Sequence, residues 1–123
     1  MTTLFSWTTT TGGRLHSDVP PAQTDASVVE LILNRSASHI AQHNIRKHES
    51  IPEHESIMTA LPNNLQVLRM DSCRIRTFPS LPLSIRELYA SFNDFLSVPD
   101  LSVYPELIVL ELNRSEEHTS ELQ

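Results

Sequence analysis

The sequence predicts an α+β chain, in which a short N-terminal helical cap precedes a stack of repeats that share a small parallel sheet. Three observations carry that expectation. Apolar residues recur at helical spacing between positions 27 and 45. Leucine and proline recur with a period of twenty residues between 61 and 112. The first 24 residues are dominated by threonine and polar residues, with two adjacent glycines and two adjacent prolines.

Residues 1–24 read MTTLFSWTTTTGGRLHSDVPPAQT, with Phe5 and Trp7 as the only sizeable apolar anchors. So little burial cannot offset chain entropy, which predicts a disordered start. The next stretch, 25–57, is expected to be the cap. Ser27 and Glu30 have the spacing of a capping box, in which each side chain satisfies the other's backbone donor. Behind them Val29, Ile32, Leu33, Ala37, Ile40, Ala41 and Ile45 fall on one helical face, predicting a helix over 27–47. Pro52 breaks the charged segment 48–57 into a connector or a short second helix.

Eleven of the sixteen leucines and five of the eight prolines lie between Leu61 and Pro105 or Leu112. Leu61-Pro62 returns as Leu81-Pro82, and Phe78-Pro79 as Val98-Pro99. Between these, Leu65, Leu68, Met70, Cys73 and Ile75 align with Ile85, Leu88, Ala90, Asn93 and Phe95. A third copy starts at Leu107, Leu110 and Leu112, displaced by two residues. This is the L-x-x-L-x-L-x-x-N/C-x-L signature of the leucine-rich repeat, so 58–113 is expected to hold two full repeats and a partial third.

The paired segments LPNNLQVLRMDSCRIRTFPS and LPLSIRELYASFNDFLSVPD resemble the repeats of bacterial type III secreted leucine-rich repeat effectors. The family includes the invasion plasmid antigen H and Yersinia outer protein M types. That resemblance implies an N-terminal export signal within 1–24, delivery into the host cytoplasm, and recognition of a host protein. It also implies a second role, as the substrate-recognition part of a secreted ubiquitin ligase whose catalytic domain lies elsewhere, with ubiquitin-pathway partners. A leucine-rich scaffold unrelated to secretion is the remaining alternative. Cys73 stands where the family pattern has asparagine, and Leu101-Ser102 where it has Leu-Pro.

The repeat register calls for Asn or Cys at 115 and an apolar residue at 117, yet Ser115 and Glu117 stand there. The stretch Arg114–Gln123, RSEEHTSELQ, resembles the conceptual translation of a sequencing adapter, so 114–123 is expected to be a non-native tail.

Composition narrows the function classes. A net charge of −6 disfavours binding by phosphate neutralisation, so no nucleic-acid partner is expected. The apolar runs are too short for a membrane helix, and no apolar stretch follows Met1 as a secretory signal would require. With glycine only at 12 and 13, glycine-rich phosphate loops are excluded. One cysteine excludes a cysteine-rich zinc site.

No catalytic, cofactor or metal site is expected. His39 and His43 share a helical spacing suited to a metal, but Ile40 stands where a metalloprotease helix needs glutamate. His48 and His54 would reach them only through the connector. Cys73 falls at the repeat's inward position, where burial makes a thiol inert. Asp71, Glu87, Asp94 and Asp100 form no persuasive acid pair. The surface able to act is the concave strand face. If Leu68, Leu88 and Leu110 point inward, their neighbours point outward in rows. Val67, Glu87 and Val109 form one row; Arg69, Tyr89 and Glu111 a second; Asp71, Ser91 and Asn113 a third. Solenoids bind partners on such faces, and Tyr and Arg are frequent hot spots there.

Overall fold

In the computed structural model, which describes residues 3–36, 40–41, 45–46 and 49–113, six strands form one mixed sheet. They are β1 (Phe5–Thr9), β2 (Arg14–Ser17), β3 (Val28–Leu33), β4 (Val67–Arg69), β5 (Glu87–Tyr89) and β6 (Val109–Glu111), ordered β2-β1-β3-β4-β5-β6. The expectation of a helical cap followed by a leucine-rich repeat solenoid is thereby corrected. The N-terminal third supplies three strands of the sheet, two of them antiparallel to β1. The helix described in full is a short one, α1 (Pro52–Ser56), continued by a 3-10 turn at Ile57–Thr59, and Ile40 and Ala41 are also helical.

The threonine-rich start is a β-hairpin. Threonine is β-branched and fits a pleated strand, and Phe5 and Trp7 alternate with Ser6 and Thr8. Gly12 takes φ of 89° in the turn, where Thr9 donates its N–H to the Gly13 carbonyl at 3.0 Å. A left-handed position is where glycine is needed. A disordered 1–24 is therefore corrected over the strands Phe5–Thr9 and Arg14–Ser17.

The expected helix from 27 fails for an equally local reason. Val28–Leu33, VVELIL, is rich in β-branched residues and pairs on both sides, antiparallel to β1 and parallel to β4. The capping-box partners go elsewhere. Ser27 donates its hydroxyl to Asp25 Oδ1 at 2.6 Å, holding that carboxyl below its ordinary range. Glu30 faces out of the sheet towards Arg69 and Arg14. The register shifts between Thr8 and Thr9, opposite Glu30 and Val28, so Val28 is buried along with Leu31 and Leu33.

From β3 onward the chain adds parallel strands. Leu31, Leu68, Leu88 and Leu110 stand side by side in register. Val67 pairs with Glu87 and Glu87 with Val109, steps of twenty and then twenty-two residues. The turns after β4 and β5 each carry one inward side chain, Cys73 and Asn93. Asn93 Nδ2 donates to the Met70 carbonyl at 2.9 Å and the Ala90 carbonyl at 3.0 Å, and its Oδ1 accepts the Ile75 N–H at 3.0 Å. One repeat earlier Cys73 Sγ faces the Leu33 carbonyl at 3.8 Å, a longer and weaker contact. Ser72 and Phe92, each next to these side chains, adopt φ of 59° and 60°.

Pro52 opens α1, where its missing N–H costs nothing because the first-turn donors have no intrahelical partner. The helix buries His54, with Ile51 just ahead of it and Ile57 and Met58 in the 3-10 turn just behind. His54 lies edge-on to Phe5, with ring centroids 5.4 Å apart, and its Nε2 meets the Leu4 carbonyl at 3.2 Å. One core thus joins the hairpin, the helix and the parallel strands. Leu68 is wholly buried within it. Leu68→Ala is expected to lower unfolding free energy by about 2–5 kcal/mol, read from urea denaturation.

Candidate outward-face recognition site

The side of the sheet opposite the core carries two rows at one height each. The first runs Arg14, Thr8, Glu30, Val67, Glu87 and Val109; the second runs His16, Ser6, Ile32, Arg69, Tyr89 and Glu111. Strand alternation sets this arrangement, because neighbours of each inward leucine must point the other way.

Arg69 is the hub. Its Nε donates to Glu30 Oε2 at 2.7 Å, and its guanidinium carbon sits 4.4 Å from the centre of the Tyr89 ring. The Glu30 bond raises the guanidinium's proton affinity further. Tyr89 donates its hydroxyl to Glu87 Oε1 at 2.7 Å, which holds the phenol above its ordinary range. Arg14 approaches Glu30 Oε1 at 3.6 Å. The Arg14–Glu30 ion pair, the charge-assisted Arg69–Glu30 bond and the cation over the Tyr89 face therefore link four strands, β2, β3, β4 and β5. The Arg69 side chain remains 45% exposed, so these contacts orient it while leaving it accessible. Ser6 extends the polar strip: its Oγ shares a 2.8 Å bond with His16 Nδ1 and accepts from Asn34 Nδ2 at 2.9 Å.

The residues read from the sequence separate into two groups. Val67, Arg69, Glu87, Tyr89, Val109 and Glu111 lie on this face, in adjacent strands. Asp71, Ser91 and Asn113 follow the strands and bond to each other. Ser91 is buried, its N–H bonds Asp71 Oδ1 at 2.7 Å, and its Oγ accepts the Asn113 N–H at 3.2 Å. Ser91 is thus a brace for the turn and has little surface to offer a partner. Glu30, Ile32 and Arg14 belong to the face but were not among the expected residues. The alternation of Glu30 and Ile32 with Leu31 and Leu33 is the signal that points to them.

Cys73 is buried, and burial pushes its thiol up to about 12. A thiol so held is not an activated nucleophile. Among the described residues no three His, Cys, Asp or Glu side chains come together as a metal site. His39, His43 and His48, and the whole of 114–123, lie outside the described residues. No helix among the described residues is long and apolar enough to cross a membrane. No protein-family model, curated protein or solved structure matches the chain.

The Cys73 thiol supplies a pH-dependent term. Its proton is held to about 12 in the fold against an ordinary value of 9.0, so the unfolded chain releases it first. Stability is unaffected by this group below about pH 9 and falls as pH rises from there towards 12, by at most about 1.4 kcal/mol per pH unit. Urea unfolding at a series of pH values is expected to show a shallower alkaline loss in Cys73→Ser than in the native chain.

Proposed function

We propose that the outward face of this sheet is a protein-recognition surface, centred on Arg69 and Tyr89. The observation that supports it is the prior ordering of these side chains. Arg69 is pinned by Glu30 and stacked on Tyr89 while still exposed. A partner meeting this face need not freeze those long side chains, which lowers the entropic cost of binding. Arginine and tyrosine are also the side chains that most often dominate interface energies. The flanking carboxylates of Glu30, Glu87 and Glu111 would suit a partner that presents basic or hydrogen-bond-donating groups.

The setting we propose is that of a bacterial effector acting on a host protein in the host cytoplasm, on the resemblance of residues 61–100 alone. The unstructured export signal expected in 1–24 is weakened as support, since Phe5–Thr9 and Arg14–Ser17 are strands. The substrate-recognition role in a ligase is a narrower version of the same recognition reading.

Two experiments test these proposals. The chain is immobilised and exposed to host-cell extract, and bound proteins are compared with those held by Arg69→Ala/Tyr89→Ala and by Arg76→Ala outside the sheet. The expected outcome is loss of at least about tenfold in retention for the double variant, as for paired hot spots, and none for Arg76→Ala. Equal retention by all three sinks the recognition reading. Separately, a translocation reporter fused to the whole chain should enter host cells from a type III-competent bacterium. A reporter confined to the bacterium removes the effector setting and leaves the recognition surface standing.

A further inference from the structure

Both edges of the sheet are bare among the described residues: β2 pairs only with β1, and β6 only with β5. The inward row across the whole sheet reads Leu15, Trp7, Leu31, Leu68, Leu88 and Leu110. Leu31, Leu68 and Leu88 are wholly buried, whereas the two ends of the row, Leu15 and Leu110, are 49% and 44% exposed. Val19, two residues after β2, and Ile108, immediately ahead of β6, are exposed as well.

The two edges also fit each other. β2 is antiparallel to β1, β1 is antiparallel to β3, and β3 to β6 run parallel, so β2 and β6 point the same way. A second copy displaced along the sheet would therefore add its β2 to β6 as a parallel strand, with its core on the same side. At matching height the second copy's Leu15 meets Leu110, its His16 lies beside Glu111, and its Arg14 lies beside Val109, flanked by Glu111 and Glu87. The Arg14 guanidinium is thus brought between two carboxylates. A two-fold contact of β6 with β6 would instead interleave Glu87 and Glu111 of both copies on one face, like charges that oppose each other.

The backbone is ready for this addition. The Gln66 carbonyl accepts from Arg86 and Glu87, and the Arg86 carbonyl accepts from Ile108 and Val109. The Met70 N–H donates to Tyr89, and the Ala90 N–H donates to Glu111. The next members of these two series are the Ile108 carbonyl and the Leu112 N–H, which lack a partner among the described residues. An edge of this kind is a template for a further strand.

We propose that this chain associates with itself head to tail, β6 of one copy pairing with β2 of the next, into open-ended oligomers. Because the repeat operation is a displacement along the sheet, nothing closes the assembly at a dimer. The outward face would stay free and become continuous from copy to copy.

Sedimentation velocity of the full chain across a wide concentration range tests this. The expected mass grows in steps of the 13.9 kDa protomer, without a plateau at two copies. Leu15→Lys blocks the β2 edge and Leu110→Lys the β6 edge, so each alone is expected to be monomeric. An equimolar mixture is expected to form a dimer that grows no further. Should circular dichroism show Leu110→Lys unfolded, Glu111→Arg serves in its place, as it sets like charge against the second copy's Arg14. A native chain that remains monomeric throughout overturns the proposal. So does dimerisation of Leu15→Lys alone, which would show a β6–β6 contact. Slow amide exchange at Leu110 and Leu112 in dilute monomer also overturns it, because residues 114–123 would then be covering the edge.

Discussion

The double pairing of Val28–Leu33 is the constraint on which the rest of the structure depends. One edge of this strand is antiparallel to the hairpin strand Phe5–Thr9, and the other is parallel to Val67–Arg69. Everything before it is hairpin and everything after it is a parallel stack, so this strand is where one geometry becomes the other. The register shift opposite Thr8 and Thr9 is what reconciles them. By taking up one extra residue, it buries Val28 without disturbing Leu31 and Leu33, which must align with Leu68 and the row beyond. Without that slip, either the hairpin side or the stack side would turn a polar face inward.

The same strand builds the outward face. Because Leu31 points in, Glu30 must point out, and it arrives between two cations, Arg14 on the hairpin and Arg69 on the stack. Ordering of the Arg69–Tyr89 pair therefore depends on a residue from the antiparallel half. Individually such exposed ion pairs contribute little to stability. Their consequence here is geometric, since they fix the direction in which an accessible guanidinium and phenol are presented.

What could be read in the amino-acid order follows the range of the interactions involved. The twenty-residue spacing of Leu68 and Leu88 sets which outward residues become neighbours, and Val67, Glu87, Arg69 and Tyr89 were legible for that reason. The third outward row was only half legible, because the burial of Ser91 comes from Asp71 and Asn113 closing on it from two repeats. The start of the chain misleads for a different reason. Threonine and serine are shared by disordered tails and by strands, and a Ser-x-x-Glu pattern is shared by helix starts and by many other turns. Here Ser27 turns back to Asp25, two residues away, and Glu30 is taken by Arg69, 39 residues away in sequence. Periodicity over seven residues cannot register a competitor at that distance.

The thiol of Cys73 has one consequence of a practical kind. It sits at the seam between the two halves, facing the carbonyl at the end of the Val28–Leu33 strand, and it is the chain's single cysteine. In the native fold no reagent can reach it without parting the seam. The molecule therefore carries its own clock for local opening. The rate at which an alkylating agent in excess consumes that sulfur reports how often hairpin and stack separate, at one defined place and with no label introduced.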